Sequence, residues 1–160
     1  IGSLYTADPD NTPPIRLGYA NMKIIKHFDF KKLKKIDSNY LVIKNKKTKY
    51  FSFNQYKTDK TYGQVKIDIG KKLNNILNIY LKTNDSEYLL LNTNNEPLTR
   101  NSLTKTLTSI FSSTGKSVSA TILRHSYISF RFPADNSDKM KVAELMFHST
   151  KLQNYYSKKD

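Results

Sequence analysis

The chain has 160 residues, with 27 lysines and arginines against 13 aspartates and glutamates, a formal charge of +14 with histidines neutral. That length holds one ordinary domain with one hydrophobic core, and so large a basic excess points to a polyanionic partner, nucleic acid before a membrane surface. The absence of cysteine excludes disulfides and thiolate metal sites. No apolar run reaches the roughly 18 residues of a spanning helix, and no signal-peptide pattern is present.

Residues 1–12 (IGSLYTADPDNT) lack periodicity and are expected to form a linker or tail, with one domain over 13–160. Pro13 and Pro14 suit a first helical turn, and Ile15, Tyr19 and Met22 recur at helical spacing, so a short helix is expected there. After a lysine-rich stretch, Tyr40 to Lys44, Tyr50 to Gln55 and Gln64 to Ile69 are short, β-rich and turn-bounded, and Val65, Ile67 and Ile69 alternate with Lys66 and Asp68. Three antiparallel strands are the simplest arrangement. Beyond Gly70, Leu73, Ile76, Leu77, Tyr80 and Leu81 make one helical stripe. A second helix is expected from Thr99 to Gly115 through Leu103, Leu107, Ile110 and Phe111. A third, from Ser119 to Phe132, carries Leu123, Tyr127 and Phe130 on one face before Pro133, and a fourth holds Val142, Leu145 and Met146. The expected class is α+β, mainly α, with helices around a three-stranded antiparallel sheet.

Among the basic residues only Arg16, Arg100, Arg124 and Arg131 are arginine. A planar guanidinium grips phosphate or carboxylate with two parallel bonds, which an ammonium cannot do. For one arginine taken alone, chance usage or a surface pair explains it as well. Arg124 adjoins the apolar face of its helix, where a charge requires an anionic partner or ligand. His27, His125 and His148 are not spaced as zinc ligands, and no carboxylate cluster is present, so no metal is expected. The groups suited to chemistry are Arg, Lys, Arg, His and Tyr, in that order along the chain.

That order resembles the catalytic domain of the tyrosine recombinase (phage-integrase) family. TPPIRLGYANMKI is similar to the first arginine motif, with Arg16 as its arginine, in a version like that of integrases from eukaryotic DNA viruses and Crypton-type mobile elements. NQYKTDKTYG resembles the β-hairpin that carries the catalytic lysine, at Lys57 with Lys60 as the alternate. SATILRHSYIS resembles the His-x-x-Arg-His box, with Arg124 as the second arginine, His125 beside it and Thr121 where the family has histidine. ELMFHSTKLQNYY is similar to the closing motif, with His148 followed by the nucleophile at Tyr156 or Tyr155.

The resemblance implies a metal-independent, cofactor-free enzyme that cuts and rejoins double-stranded DNA through a 3′-phosphotyrosyl intermediate and self-assembles on DNA, as a tetramer in the family's full-length pattern. Arg16 and Arg124 would clamp the phosphate, Lys57 would protonate the leaving oxygen, and His148 would hydrogen-bond the phosphate. Lys60, Arg100, His125 and Arg131 are the remaining expected DNA contacts. The expected location is intracellular and DNA-associated, in a host nucleus or cytoplasm. Two other functions stay open: a catalytically degenerate DNA-binding module, for which Thr121 speaks, and a type IB topoisomerase-like enzyme, whose Ser-Lys-x-x-Tyr ending is absent.

Overall fold

Side chains alternate across a strand, so each strand of a sheet covered on both sides feeds two cores. The computed structural model describes residues 1–57 and 59–131. Its strands are β1 (Lys23–Lys26), β2 (Tyr40–Ile43), β3 (Lys49–Phe53) and β4 (Val65–Asp68), and its helices are α1 (Ser3–Thr6), α2 (His27–Phe30), α3 (Asp59–Tyr62), α4 (Lys71–Tyr80), α5 (Arg100–Ile110) and α6 (Ala120–Arg131). Leu41, Phe51, Phe53 and Ile67 leave one face of the sheet and pack with Leu4, Tyr5, Leu73, Leu77, Leu103, Leu107 and Ala120 from the helices. Tyr40, Val42 and Tyr50 leave the other face and meet Ile25, Phe30 and Leu33. Each large apolar side chain fully buried in this way contributes about 1.5–3 kcal/mol.

The three expected strands are β2, β3 and β4, antiparallel in register, with Leu41 opposite Phe51 and Phe51 opposite Ile67. The sheet nevertheless has four strands in the order β1-β2-β3-β4 and is mixed, because β1 pairs parallel to β2, Lys23 with Tyr40 through Lys26 with Ile43. This corrects the three-stranded antiparallel expectation. KIIK is too short and too symmetric to show a period, and a parallel pairing is made only after the chain has crossed over.

The helix expected from Pro13 does not form. Residues 17–22 make successive tight turns, with Ala20 N–H donating to Leu17 O and Met22 N–H to Tyr19 O, and the path enters β1 through Asn21 at φ +53°. Ile15, Tyr19 and Met22 are all fully buried, so their spacing reported burial and not backbone conformation. On α6 the buried line is Ala120, Arg124 and Ile128, while Phe130, expected on the packed face, is 88% exposed. The helix expected around Val142 lies outside the described residues.

Residues 1–12, expected as a linker or tail, pack into the domain. Leu4 and Tyr5 join the main core, and the Tyr19 hydroxyl donates to Leu4 O at 3.3 Å. Lys49, on the same face of β3 as Phe51 and Phe53, is only 3% exposed. Its Nζ donates to Asn74 Oδ1 (2.9 Å), Asn78 Oδ1 (2.6 Å) and Lys46 O (3.1 Å), so all three ammonium hydrogens have acceptors and β3 is tied to α4. Burial still lowers its pKa.

Two predictions follow from this packing. A Cβ on Gly70, which precedes α4, would overlap the Asp8 carboxylate. Gly70→Ala should therefore cost about 1 kcal/mol in denaturant unfolding and almost nothing in an Asp8→Ala background; equal costs in both backgrounds would show that the two do not touch. Burial raises the pKa of Tyr5 and Tyr19 above the ordinary tyrosine value. Their contribution is then complete below about pH 10 and is lost as pH rises from there through the folded-state values. Tyr19→Phe should unfold at lower denaturant at pH 8, losing about 1 kcal/mol with its hydrogen bond, yet should lose less than the parent between pH 9 and 11.

Candidate functional site

Cations repel one another, so a cluster of them without carboxylates survives only where the backbone holds it. At one end of the sheet the turn over 16–18, the chain leaving β3 over 55–57, and the N-terminal turns of α5 and α6 enclose a cleft of about 390 Å³. Arg16, Lys57, Arg100 and Thr121 all line it, together with Thr104 and Ser119, and among the described residues no acidic one does. Thr99 caps α5, its Oγ1 accepting from Ser102 N–H at 3.2 Å, and Ser119 Oγ accepts from Ile122 N–H at 3.4 Å at the start of α6. The positive ends of two helix dipoles thus meet the cationic side chains, an arrangement that attracts an anion.

Arg16 is half-buried, and its Nε is buried with no hydrogen-bond partner among the described residues. A buried donor left in this state costs about 1–3 kcal/mol unless a ligand uses it. Arg124 is 1% exposed, one helical turn beyond Ala120, which lines the cleft. Side chains on a helix lean toward its N-terminus, which for α6 is the end that borders the cleft. Its charge reaches Tyr5, where it partly offsets the upward push of burial on the phenol. His125 is half-buried, and its pKa is lowered by burial and then by the neighbouring Arg124 charge.

The other expected site residues fall elsewhere. Lys60 is exposed on α3 and borders a separate depression with Ile36, Asn54 and Gln64, so of the two candidate lysines only Lys57 borders the cleft. Arg131 pairs with Asp10, Nε to Oδ1 at 3.1 Å, on the surface. His148, Tyr155 and Tyr156 lie outside the described residues. Among the described residues no cluster of three or more His, Asp or Glu comes together, and no helix is long and apolar enough to cross a membrane.

Two residues that the sequence did not single out hold the cleft together. The Tyr5 hydroxyl donates to Arg16 O at 3.2 Å. Asn39, 7% exposed, donates from Nδ2 to Gly18 O and Gln55 O, both at 3.0 Å, and its Oδ1 accepts from Asn54 N–H and Gln55 N–H, both at 2.8 Å. Four partners of fixed polarity settle which end of the amide is which. Asparagine is frequent in this chain, and a single one before a strand carries no distinguishing signal. Tyr56 closes the adjacent loop, its hydroxyl donating to Gly63 O at 2.7 Å.

No protein-family model and no curated protein matches the chain. Among solved structures it is similar to XerA recombinase, with a TM-score of 0.63 and 15% identity, over 96% of this chain and 50% of that one. The fold is therefore similar to that of XerA recombinase over this span, and the chain spans about half the length of that protein.

If duplex DNA binds at the cleft, counterion release would separate the roles of two arginines. Arg100, in the cleft, should remove close to one unit from the log–log salt slope of duplex DNA binding when changed to glutamine. Arg131→Gln, which breaks the pair with Asp10, should leave the slope within about 0.3. Fluorescence anisotropy between 50 and 200 mM salt, roughly the range over which the effect is large, reads both, and a larger drop for Arg131 would place the DNA on the other side of α6.

Proposed function

We propose that the chain is the catalytic domain of a tyrosine recombinase, which cleaves and rejoins duplex DNA through a phosphotyrosine. The observation that carries the reading is the cleft itself: Arg16, Lys57 and Arg100 converge with two helix N-termini, and among the described residues no carboxylate lines it and none partners the buried donor Arg16 Nε. The recombinase fold adds support. Together with the sequence order of Arg, Lys, Arg, His and Tyr, these features suit a phosphodiester better than any other anion.

In this reading the phosphate binds in the cleft, held by Arg16 and by Arg124. The phenol of Tyr156, or Tyr155, loses its proton to solvent and its oxygen bonds to phosphorus. The bond from phosphorus to the 5′-oxygen breaks, and that oxygen takes a proton from the Lys57 ammonium. Guanidinium forks stabilise the extra charge on the non-bridging oxygens, and the phosphotyrosine keeps the bond energy for religation. His148 hydrogen-bonds the same phosphate. Self-assembly on DNA, an intracellular DNA-associated location and an origin in a virus or Crypton-type element are proposals of the same kind, resting on the motif resemblance.

Thr121 favours a second reading, a catalytically degenerate DNA-binding module of this fold. The residue is exposed at the cleft and cannot move a proton as histidine does. Incubation with a nicked duplex separates the two, since only the enzyme leaves a covalent adduct. Tyr156→Phe should abolish that adduct with binding intact, while Tyr155→Phe should retain it; phosphate found on Tyr155 by mass spectrometry shifts the register by one. Arg124→Lys should cut the adduct rate by about 10²-fold or more, because one ammonium does not replace a two-bond clamp. A lysine variant as fast as the parent would remove Arg124 from the clamp.

A further inference from the structure

Arg16 and Lys57 come from parts of the chain with no regular element in common, and they must face one phosphate within a few tenths of an ångström to act together. The turn bearing Arg16 lies outside helix and strand, and Lys57 is exposed just past the end of β3. Among the described residues no carboxylate lines the cleft to draw the two cations together. The side chain of Asn39, among those same residues, hydrogen-bonds to both segments. Its amide nitrogen bridges Gly18 O, two residues from Arg16, and Gln55 O, two residues from Lys57. Its oxygen meanwhile holds the backbone N–H groups of Asn54 and Gln55.

We infer that Asn39 is a positioning residue for the cleavage reaction: its buried carboxamide sets the distance between the Arg16 turn and the Lys57 loop, and so places the ammonium of Lys57 against the leaving oxygen of a phosphate held by Arg16. The inference rests on the reading of Lys57 as the proton donor. A residue that only stabilised the fold would use the same hydrogen bonds on any two segments. Asn39 spends one donated bond on each side of the cleft, with every polar hydrogen and both acceptor directions of its amide in use. Neighbouring bonds reinforce the hairpin side, with Asn54 Nδ2 donating to Ser38 O at 2.8 Å and the Gln55 side-chain amide donating to Asp37 O. Among the described residues, the side-chain hydrogen bond across to Gly18 O comes from Asn39.

Asn39→Asp keeps the acceptor half of the amide and removes the donor half, so it unties Gly18 O and Gln55 O while leaving the bonds to Asn54 and Gln55. The readout is single-turnover adduct formation at saturating DNA on two substrates, one with the natural 5′-bridging oxygen and one with sulfur in its place. A thiolate leaves without being protonated, because a thiol is far more acidic than an alcohol, so the sulfur substrate does not need Lys57. Asn39→Asp should slow the oxygen substrate by roughly 10- to 100-fold, part of the 10²–10⁴ that a positioned acid supplies. On sulfur it should come within about 3-fold of the parent, with DNA affinity unchanged, and Lys57→Ala should show the same rescue. Asn39→Ser, small enough to admit water to the freed groups, should behave alike and serves if the aspartate variant does not fold. If Lys57→Ala is rescued by sulfur while the Asn39 variants are equally slow on both substrates, bind DNA less well, or match the parent on oxygen, the inference is wrong and the reading of Lys57 stands. If sulfur does not rescue Lys57→Ala, Lys57 is not the acid, and both fall.

Discussion

The turn that carries Arg16 has neither helix nor strand to hold it, so its position depends on buried hydrogen bonds to its backbone. Tyr5 donates to Arg16 O, Asn39 donates to Gly18 O, and Asn21 N–H donates to Leu98 O. Around these, Ile15, Tyr19 and Met22 are excluded from water, and Tyr19 packs edge-on against Tyr5, Phe51 and Phe53. Gly18 fits because a Cβ there would press on the Phe53 ring. An irregular segment whose polar groups are paired and whose apolar groups are packed is as rigid as a helix, and it frees the Arg16 side chain to face the cleft.

Two cationic environments in this chain differ in how their charge is met. Lys49 is deeply buried and fully served by one carbonyl and two asparagine oxygens, so its charge is consumed within the fold. Arg16 is less buried, yet its Nε lacks any partner among the described residues, and the side chains around it add positive charge. Desolvating a cation without pairing it is a cost that folding alone does not recover. A bound anion would recover it, and in the proposed function a phosphate diester would offer two acceptor oxygens to the forked donor.

The N-terminal segment shows how a strap of few residues ties distant parts of the domain. Tyr5 touches the backbone of Arg16 and lies within the field of Arg124; Asp8 stands against the start of α4; Asp10 pairs with Arg131 at the end of α6. None of these contacts has a local signature. A four-residue helix is too short for periodicity, and each partner lies far along the chain.

Local patterns sufficed for β2, β3, β4, α4 and α5, because alternation, apolar stripes and the Thr99 cap act between residues close in sequence. The choice of Arg16, Lys57 and Thr121 as one group came from the order of motifs, and tertiary structure brings those three to one cleft. Sequence alone did not reveal β1, whose pairing is parallel and long-range, or the turns that replace the expected helix at Pro13. It also did not reveal Asn39 and Tyr5, whose importance lies in the carbonyls they reach and not in their own type. The sequence by itself determined composition, charge, the local elements and which residue types were available for phosphate chemistry, since these depend on neighbours a few positions apart. Only the tertiary structure decided the mixed sheet, the burial of Arg124 and the meeting of Arg16 with Lys57, because each depends on a contact that exists only after distant segments have packed.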